Sequence, residues 1–269
     1  MFNIINKEDQ PLEIANFSIE LLSFLFIIAI LAGLIDTLAG GGGLISLPAL
    51  ILAGIPPLAA LGTNKLQGSM GTATATYLMF KNRRISYQES KPLMQTAFIG
   101  AVLGAIGVQF INTEVLSFVI PMVLLFIAVY FIASPLMKKK SDQNHLSSAN
   151  YQNIVVPTIG FYDGMFGPGT GSFFALAGVS CRGHDLITST AIAKSLNFAT
   201  NIASLIIFVA AGHVVWVIGL VMVVGQSIGA YVGAHFLFKI NPTYLRIVVV
   251  MMSTGMLIKY GYAMGWFNY

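Results

Sequence analysis

The stretch Gly33-Leu34-Ile35-Asp36-Thr37-Leu38-Ala39-Gly40-Gly41-Gly42-Gly43-Leu44-Ile45-Ser46-Leu47-Pro48 constrains the fold more than any other. An apolar run of membrane-spanning length carries an acid, Asp36, near its end. It then dissolves into four consecutive glycines and resumes as a short apolar piece. Glycine costs a helix interior about 1 kcal/mol per residue relative to alanine, so four together unwind it. Unwound backbone at membrane depth persists only where it is buried in protein or lines a polar cavity, because lipid cannot satisfy its N–H and C=O groups. The expectation is a helix break, with a site beside it, inside the bilayer.

Composition supplies the bilayer. Hydrophobic residues make up 56% of the chain and charged residues 9%, against about 25% charged in a soluble domain. Several windows of roughly 20 residues are almost uncharged, the length that crosses about 30 Å of hydrocarbon. The fold class is therefore all-α, a polytopic membrane protein; a barrel would show short alternating segments. The net charge of +4 reads as lysine bias in loops, not as a nucleic-acid surface. A single cysteine, Cys181, excludes an intrachain disulfide and any CxxC site. Glu8, Asp9 and Glu13 replace the basic head of a cleavable signal peptide, so the first apolar run is expected to stay.

Apolar segments fall at 18–39, 44–54, 58–80, 92–111, 114–136, 150–166, 172–181, 188–211, 214–237 and 243–264. That predicts about eight full transmembrane helices and two short pieces, 44–54 and 172–181. Each short piece follows a glycine cluster, and its length leaves open whether it crosses or re-enters. The polar stretch 138–149 separates an N-terminal part, 1–137, from a C-terminal part, 150–269.

These parts repeat. Gly33 and Asp36 match Gly160 and Asp163, and Gly40 and Gly42 match Gly167 and Gly169, at a constant offset of 127. Lys65 then falls opposite Lys194, with Gly100, Gly104 and Asn112 opposite Gly229, Gly233 and Asn241, at an offset of 129. An ordered series of this length is the mark of a duplication. Lys81, Arg83, Arg84 and Lys91 place loop 81–91 in the cytoplasm, as Lys138, Lys139 and Lys140 do the linker. Threading these constraints puts both termini outside and makes the halves inverted five-segment repeats, a plan that secondary transporters share. If the short pieces do not cross, the repeats become parallel.

Four groups of residues could carry chemistry. Gly40, Gly41, Gly42 and Gly43, and Gly167, Gly169 and Gly171 with Thr170 and Ser172, sit where freed amides and helix N-termini attract anions; close helix packing is the alternative. Lys65, with Thr63, Asn64 and Gln67, and Lys194, with Asn197 and Asn201, lie in apolar runs. A lysine there costs roughly 2.5–3.5 kcal/mol on insertion scales, which points to substrate contact, to snorkelling or to a structural bridge with an acid. Asp36 and Asp163 are candidates for coupling or for charge balance. Gln226 stands on a small-residue face, and Gly100-xxx-Gly104 and Gly225-xxx-Gly229-xxx-Gly233 read as packing signals. No histidine has metal-ligand spacing.

The stretches 33–50, 61–77, 160–176, 193–205 and 224–230 resemble the TauE/SafE family of sulfite and organosulfonate transporters, within the 4-toluene sulfonate uptake permease group. The resemblance covers nearly the whole chain and holds at Asp36, Lys65, Asp163 and Lys194. It implies a carrier in the bacterial cell membrane, moving sulfite, a sulfonate or a related oxyanion, with no bound cofactor. The partners expected are the lipid bilayer, a small anion and a coupling proton or sodium ion, with a homo-oligomer as the assembly; nucleic acid is not among them.

An anion channel would use the same site as a filter. An intramembrane aspartyl protease would use the two aspartates, and Tyr162-Asp163 and Pro48-Ala49-Leu50 echo such enzymes. Here, however, the Pro-Ala-Leu element precedes the Tyr-Asp pair and no Gly-x-Gly-Asp occurs, so the expectation is a carrier and not an enzyme.

Overall fold

The computed structural model describes residues 17–133 and 146–236, together with positions 254, 255, 258 and 262. Helices dominate the described residues, and no strand occurs among them. Helix α1 (Ile19–Ala39) starts on the Ser18 hydroxyl, which accepts from the Leu21 amide at 3.2 Å. It stops at Gly40, whose φ of 74° is open to glycine at little cost. The short α2 (Gly43–Leu52) follows, then α3 (Pro57–Lys81), α4 (Tyr87–Gln109) and α5 (Thr113–Ala133). Beyond the linker come α6 (Ser148–Asn150), a π turn (Tyr151–Val155) and α7 (Val156–Met165), which form one continuous helical rod. A second break precedes α8 (Thr170–Arg182), and α9 (Leu186–Ala210) and α10 (Trp216–Phe236) complete the described helices.

Nine of the ten expected apolar segments thus coincide with helical stretches. The tenth, 243–264, lies outside the described residues apart from four positions, as do Glu8, Asp9, Glu13 and Lys138–Lys140. Among the described residues four helices, α1, α4, α9 and α10, are long and apolar enough to cross a membrane. Helix α3 has 25 residues and the length to span. Its composition is more polar because it carries Thr63, Asn64, Lys65 and Gln67, all buried.

An apolar core is buried between the helices, and large apolar side chains also cover the outside. Phe118 and Phe126 of α5, Ile99 and Leu103 of α4 and Leu220 and Val224 of α10 are exposed. Lys65, Lys194, Asp36, Asp163 and a set of Ser, Thr, Asn and Gln side chains are buried. Apolar surface outside and polar groups inside suit a hydrocarbon solvent.

Backbones approach closely where glycine removes the side chain. A Cβ on Gly229 of α10 would stand 2.0 Å from the Ile30 carbonyl oxygen of α1, and one on Gly104 of α4 would stand 2.0 Å from that of Phe161 in α7. The small-residue spacings of α4 and α10 are therefore packing faces. With α1 laid along α10 and α7 along α4, the longer α3 and α9 run between them and touch each other. Both breaks open beside that contact.

Candidate functional site

The two breaks meet. A Cβ on Gly40 would lie 2.3 Å from the Ser172 amide nitrogen, and one on Gly171 would lie 2.8 Å from Gly40 Cα. The Ser172 hydroxyl donates to the Ala39 carbonyl across this contact, and Gly43 faces Pro168. Gly167 and Gly169 have φ of 96° and 79°, conformations that let the chain reverse within four residues of α7. Tyr162 braces the loop by donating from its hydroxyl to the Pro168 carbonyl at 2.7 Å.

Each lysine crosses to the other half of the chain. Lys65, on α3, puts its Nζ 2.9 Å from Asp163 Oδ1 and also donates to the Asp163 main-chain carbonyl. Lys194, on α9, stands 3.4 Å from Asp36 Oδ2 and donates to the Asp36 main-chain carbonyl. Both lysines are buried, so neither snorkels to an interface. Each ammonium also caps a carbonyl near the C-terminal end of a broken helix, where the helix dipole is negative.

The aspartates differ in their other contacts. Asp36 Oδ1 receives the Gly42 amide at 3.4 Å. Asp163 Oδ1 receives the Thr170 hydroxyl at 2.8 Å, while its Oδ2 is buried and has no hydrogen-bond partner.

A polar cavity of about 30 Å³ lies between the breaks. At the ~10–15 Å³ that one water needs, that is room for about two waters. Among the expected site residues, Asp36, Gly43, Asn64, Lys65, Asp163, Gly167, Asn197, Asn201 and Gln226 line it. Gly40, Gly41, Gly42, Gly169, Thr170, Gly171, Ser172 and Lys194 build the surrounding wall without lining it, and Thr63 and Gln67 also lie outside the lining set. Thr63 accepts the Val215 amide at the start of the segment leading into α10, at 3.0 Å. Gln67 donates to Asn64 Oδ1 at 2.8 Å. Amides expected to be free at the helix starts are partly engaged: that of Gly42 by Asp36, those of Leu44 and Ile45 by Gly41 and Gly42, and that of Thr170 by Gly167.

Ser46, Gly68 and Thr72 also line the cavity. Helical periodicity holds the signal for two of them. Gly68 and Thr72 stand three and seven residues after Lys65, as Asn197 and Asn201 do after Lys194, and such spacings share one helix face. Ser46 donates to Asn64 Oδ1 at 2.6 Å, which joins α2 to α3 at the cavity edge. Among the described residues no group of three His, Cys, Asp or Glu is arranged to hold a metal ion.

Comparison with known proteins gives a consistent result. Residues 25–260 match the family model described as sulfite exporter TauE/SafE. The chain is 40% identical over 239 residues to the probable membrane transporter protein ORF9 of Sinorhizobium, covering 89% of this chain and 92% of that one. It is 38% identical to a probable membrane transporter protein of Haemophilus influenzae, over 93% of this chain and 98% of the relative. It is 39% identical to the probable membrane transporter protein YfcA of Escherichia coli K12, over 89% of each chain. No solved structure gives a significant match.

Proposed function

This chain belongs to the sulfite exporter TauE/SafE family of membrane transporters, and from that premise we propose that it carries small sulfur-containing anions by alternating access at the cavity between its two breaks. The observation that carries the reading is the crossed pair of buried lysines, each tying one half of the chain to the broken helix of the other. A buried ammonium beside amide and hydroxyl donors suits sulfite or a sulfonate, whose oxygens accept several charge-assisted hydrogen bonds. The aspartates keep the empty site neutral and so let the anion leave.

The halves 1–137 and 150–269, joined by the linker 138–149, act as inverted repeats in this reading. The pairing of α1 with α10 and of α7 with α4 supports it, as does the exchange of lysines. In this reading loop 81–91 faces the cytoplasm, both termini face outward, and the membrane is the inner membrane of a bacterium. In this reading the breaks part to admit and to release the anion. A carrier also accounts for the aspartates better than proteolysis does. Each is held by a lysine, whereas an aspartyl dyad shares a proton between two carboxylates.

Purified protein in vesicles should exchange labelled for unlabelled sulfite, with saturation, and Lys194→Ala should abolish the exchange. Flux without counterflow would make the protein a channel. Wild-type flux in the variant would remove Lys194 from the site.

A further inference from the structure

Among the described residues the buried charged side chains are Asp36, Lys65, Asp163 and Lys194. Their charges cancel. One more anion among them would bring an uncompensated charge into a low-dielectric interior, which is costly. A proton that arrives with the anion restores neutrality, and the geometry points to where it goes. We propose that Asp163 is the coupling-proton site of this carrier, and that a monovalent anion and a proton cross together as an electroneutral pair. The proposal rests on the carrier reading above.

Asp163 is singled out by three observations. Its Oδ2 has no hydrogen-bond partner although the residue is 1% exposed, whereas both carboxylate oxygens of Asp36 are contacted, by Gly42 and by Lys194. Its lysine, Lys65, lines the cavity, and Lys194 does not. Lys65 is also anchored to the Asp163 main-chain carbonyl, so the ammonium stays in place when the side-chain carboxylate is neutralised. The exchange is then simple. An entering oxyanion takes the Lys65 ammonium from Oδ1, and Asp163 takes a proton on Oδ2, keeps it there and donates a hydrogen bond through it to an oxygen of the anion. The Thr170 hydroxyl keeps its bond to Oδ1. On release the proton leaves with the anion and the ion pair re-forms, so no charge remains behind.

The groups around Asp163 agree with this assignment. From α3 comes Lys65, and from α8 the Thr170 hydroxyl. The other buried ammonium, Lys194 of α9, is engaged by Asp36 of α1. Helix α4 packs against this turn through Ala101, Gly104 and Ala105 and brings no titratable group to it.

The test uses the full-length protein in vesicles and methanesulfonate, a monovalent strong-acid anion, as the probe. Methanesulfonate should accumulate on the alkaline side by about tenfold per pH unit of gradient. A membrane potential of ~100 mV should leave that accumulation unchanged, although it would shift a process moving one net charge by about fiftyfold. Infrared difference spectra should show a protonated buried carboxyl on adding methanesulfonate to the wild type and to Asp36→Asn, and none in Asp163→Asn. Accumulation that follows the potential, or flux indifferent to the pH gradient, overturns the coupling and leaves the carrier reading standing. A carboxyl signal that survives in Asp163→Asn overturns the assignment to that residue. Absence of saturable wild-type flux of both methanesulfonate and sulfite overturns the carrier reading itself. If Asp163→Asn does not fold, the two wild-type gradients decide.

Discussion

At the break after α1, the aspartate is held loosely and from the backbone side. Asp36 takes the Gly42 amide on one oxygen and Lys194 on the other, both at 3.4 Å, and its side chain is 10% exposed. At the break after α7, Asp163 is held tightly on one oxygen only, by Lys65 at 2.9 Å and Thr170 at 2.8 Å, with 1% exposure. Thr170 has no counterpart in the first half, where the repeat offset lands on Gly43. The same acid, glycines and lysine thus make two different junctions. In one, a backbone amide and a lysine share the two carboxylate oxygens. The other is a tighter ion pair on one oxygen, with the second oxygen left over.

The largest expected effect separates the two ion pairs. Lys65→Ala leaves Asp163 as an uncompensated buried charge and should cost about 3–5 kcal/mol, the range for breaking a buried pair from one side. Lys194→Ala should cost less, because Asp36 is more exposed and keeps its amide contact. Thermal unfolding of both variants in detergent measures the order, and equal losses would mean that the junctions are energetically alike.

A second substitution pair compares positions within the first break. Gly40→Ala combines a left-handed φ with a Cβ 2.3 Å from the Ser172 nitrogen. Overpacking alone should destabilise it by about 1–3 kcal/mol. Gly43→Ala is tight only against Pro168 Cα, at 3.1 Å, with Pro168 N and Asn64 Nδ2 at ordinary contact distance, so a shift of a few tenths of an ångström relieves it. Melting temperatures that fall equally for the two would show that the breaks are not wedged together at Gly40.

The smallest effect concerns how the paired helices α3 and α9 begin. Helix α3 starts on Pro56 and Pro57 without a side-chain cap. In α9, Asp185 accepts the Ile187 and Thr188 amides at 2.9 and 3.0 Å. Hydrogen bonds from Thr188, hydroxyl first and then amide, hold the Asp185 carboxyl below the usual carboxylate range. A carboxyl lowered by folding stabilises above its ordinary titration range, and that contribution is lost as pH falls through the lowered value. Asp185→Ala should cost about 1 kcal/mol at neutral pH, with the gap to wild type closing under acid. A gap independent of pH would mean that the cap acts through packing alone.

Much of this was legible from residue order. Nine of the ten apolar segments lie on helical stretches, and Lys194, Asn197 and Asn201 were visible as one helix face because spacing along a helix is a local property. The same spacing from Lys65 went unread because Gly68 and Thr72 do not advertise polarity as asparagines do. Thr63 and Gln67 were drawn in by closeness in sequence. A helix turns about 100° per residue, which takes neighbours of Lys65 to other faces, one toward Val215 and one toward Asn64. The glycines were expected to offer free amides, but short turns within each break occupy several of them.

The opening glycine run by itself determined that a membrane helix must break beside Asp36, since four glycines cannot hold a helix and lipid cannot hold bare backbone. Composition determined the solvent, and the repeat offset pointed to a second break. Which lysine answers which aspartate was decided only in three dimensions. Snorkelling, pairing within a half and pairing across halves are equally compatible with the order of residues. The choice depends on how closely α1 and α10, α7 and α4, and the two breaks approach. That approach is set by side chains absent at Gly229, Gly104, Gly40 and Gly171 on one element and by the backbone they meet on another.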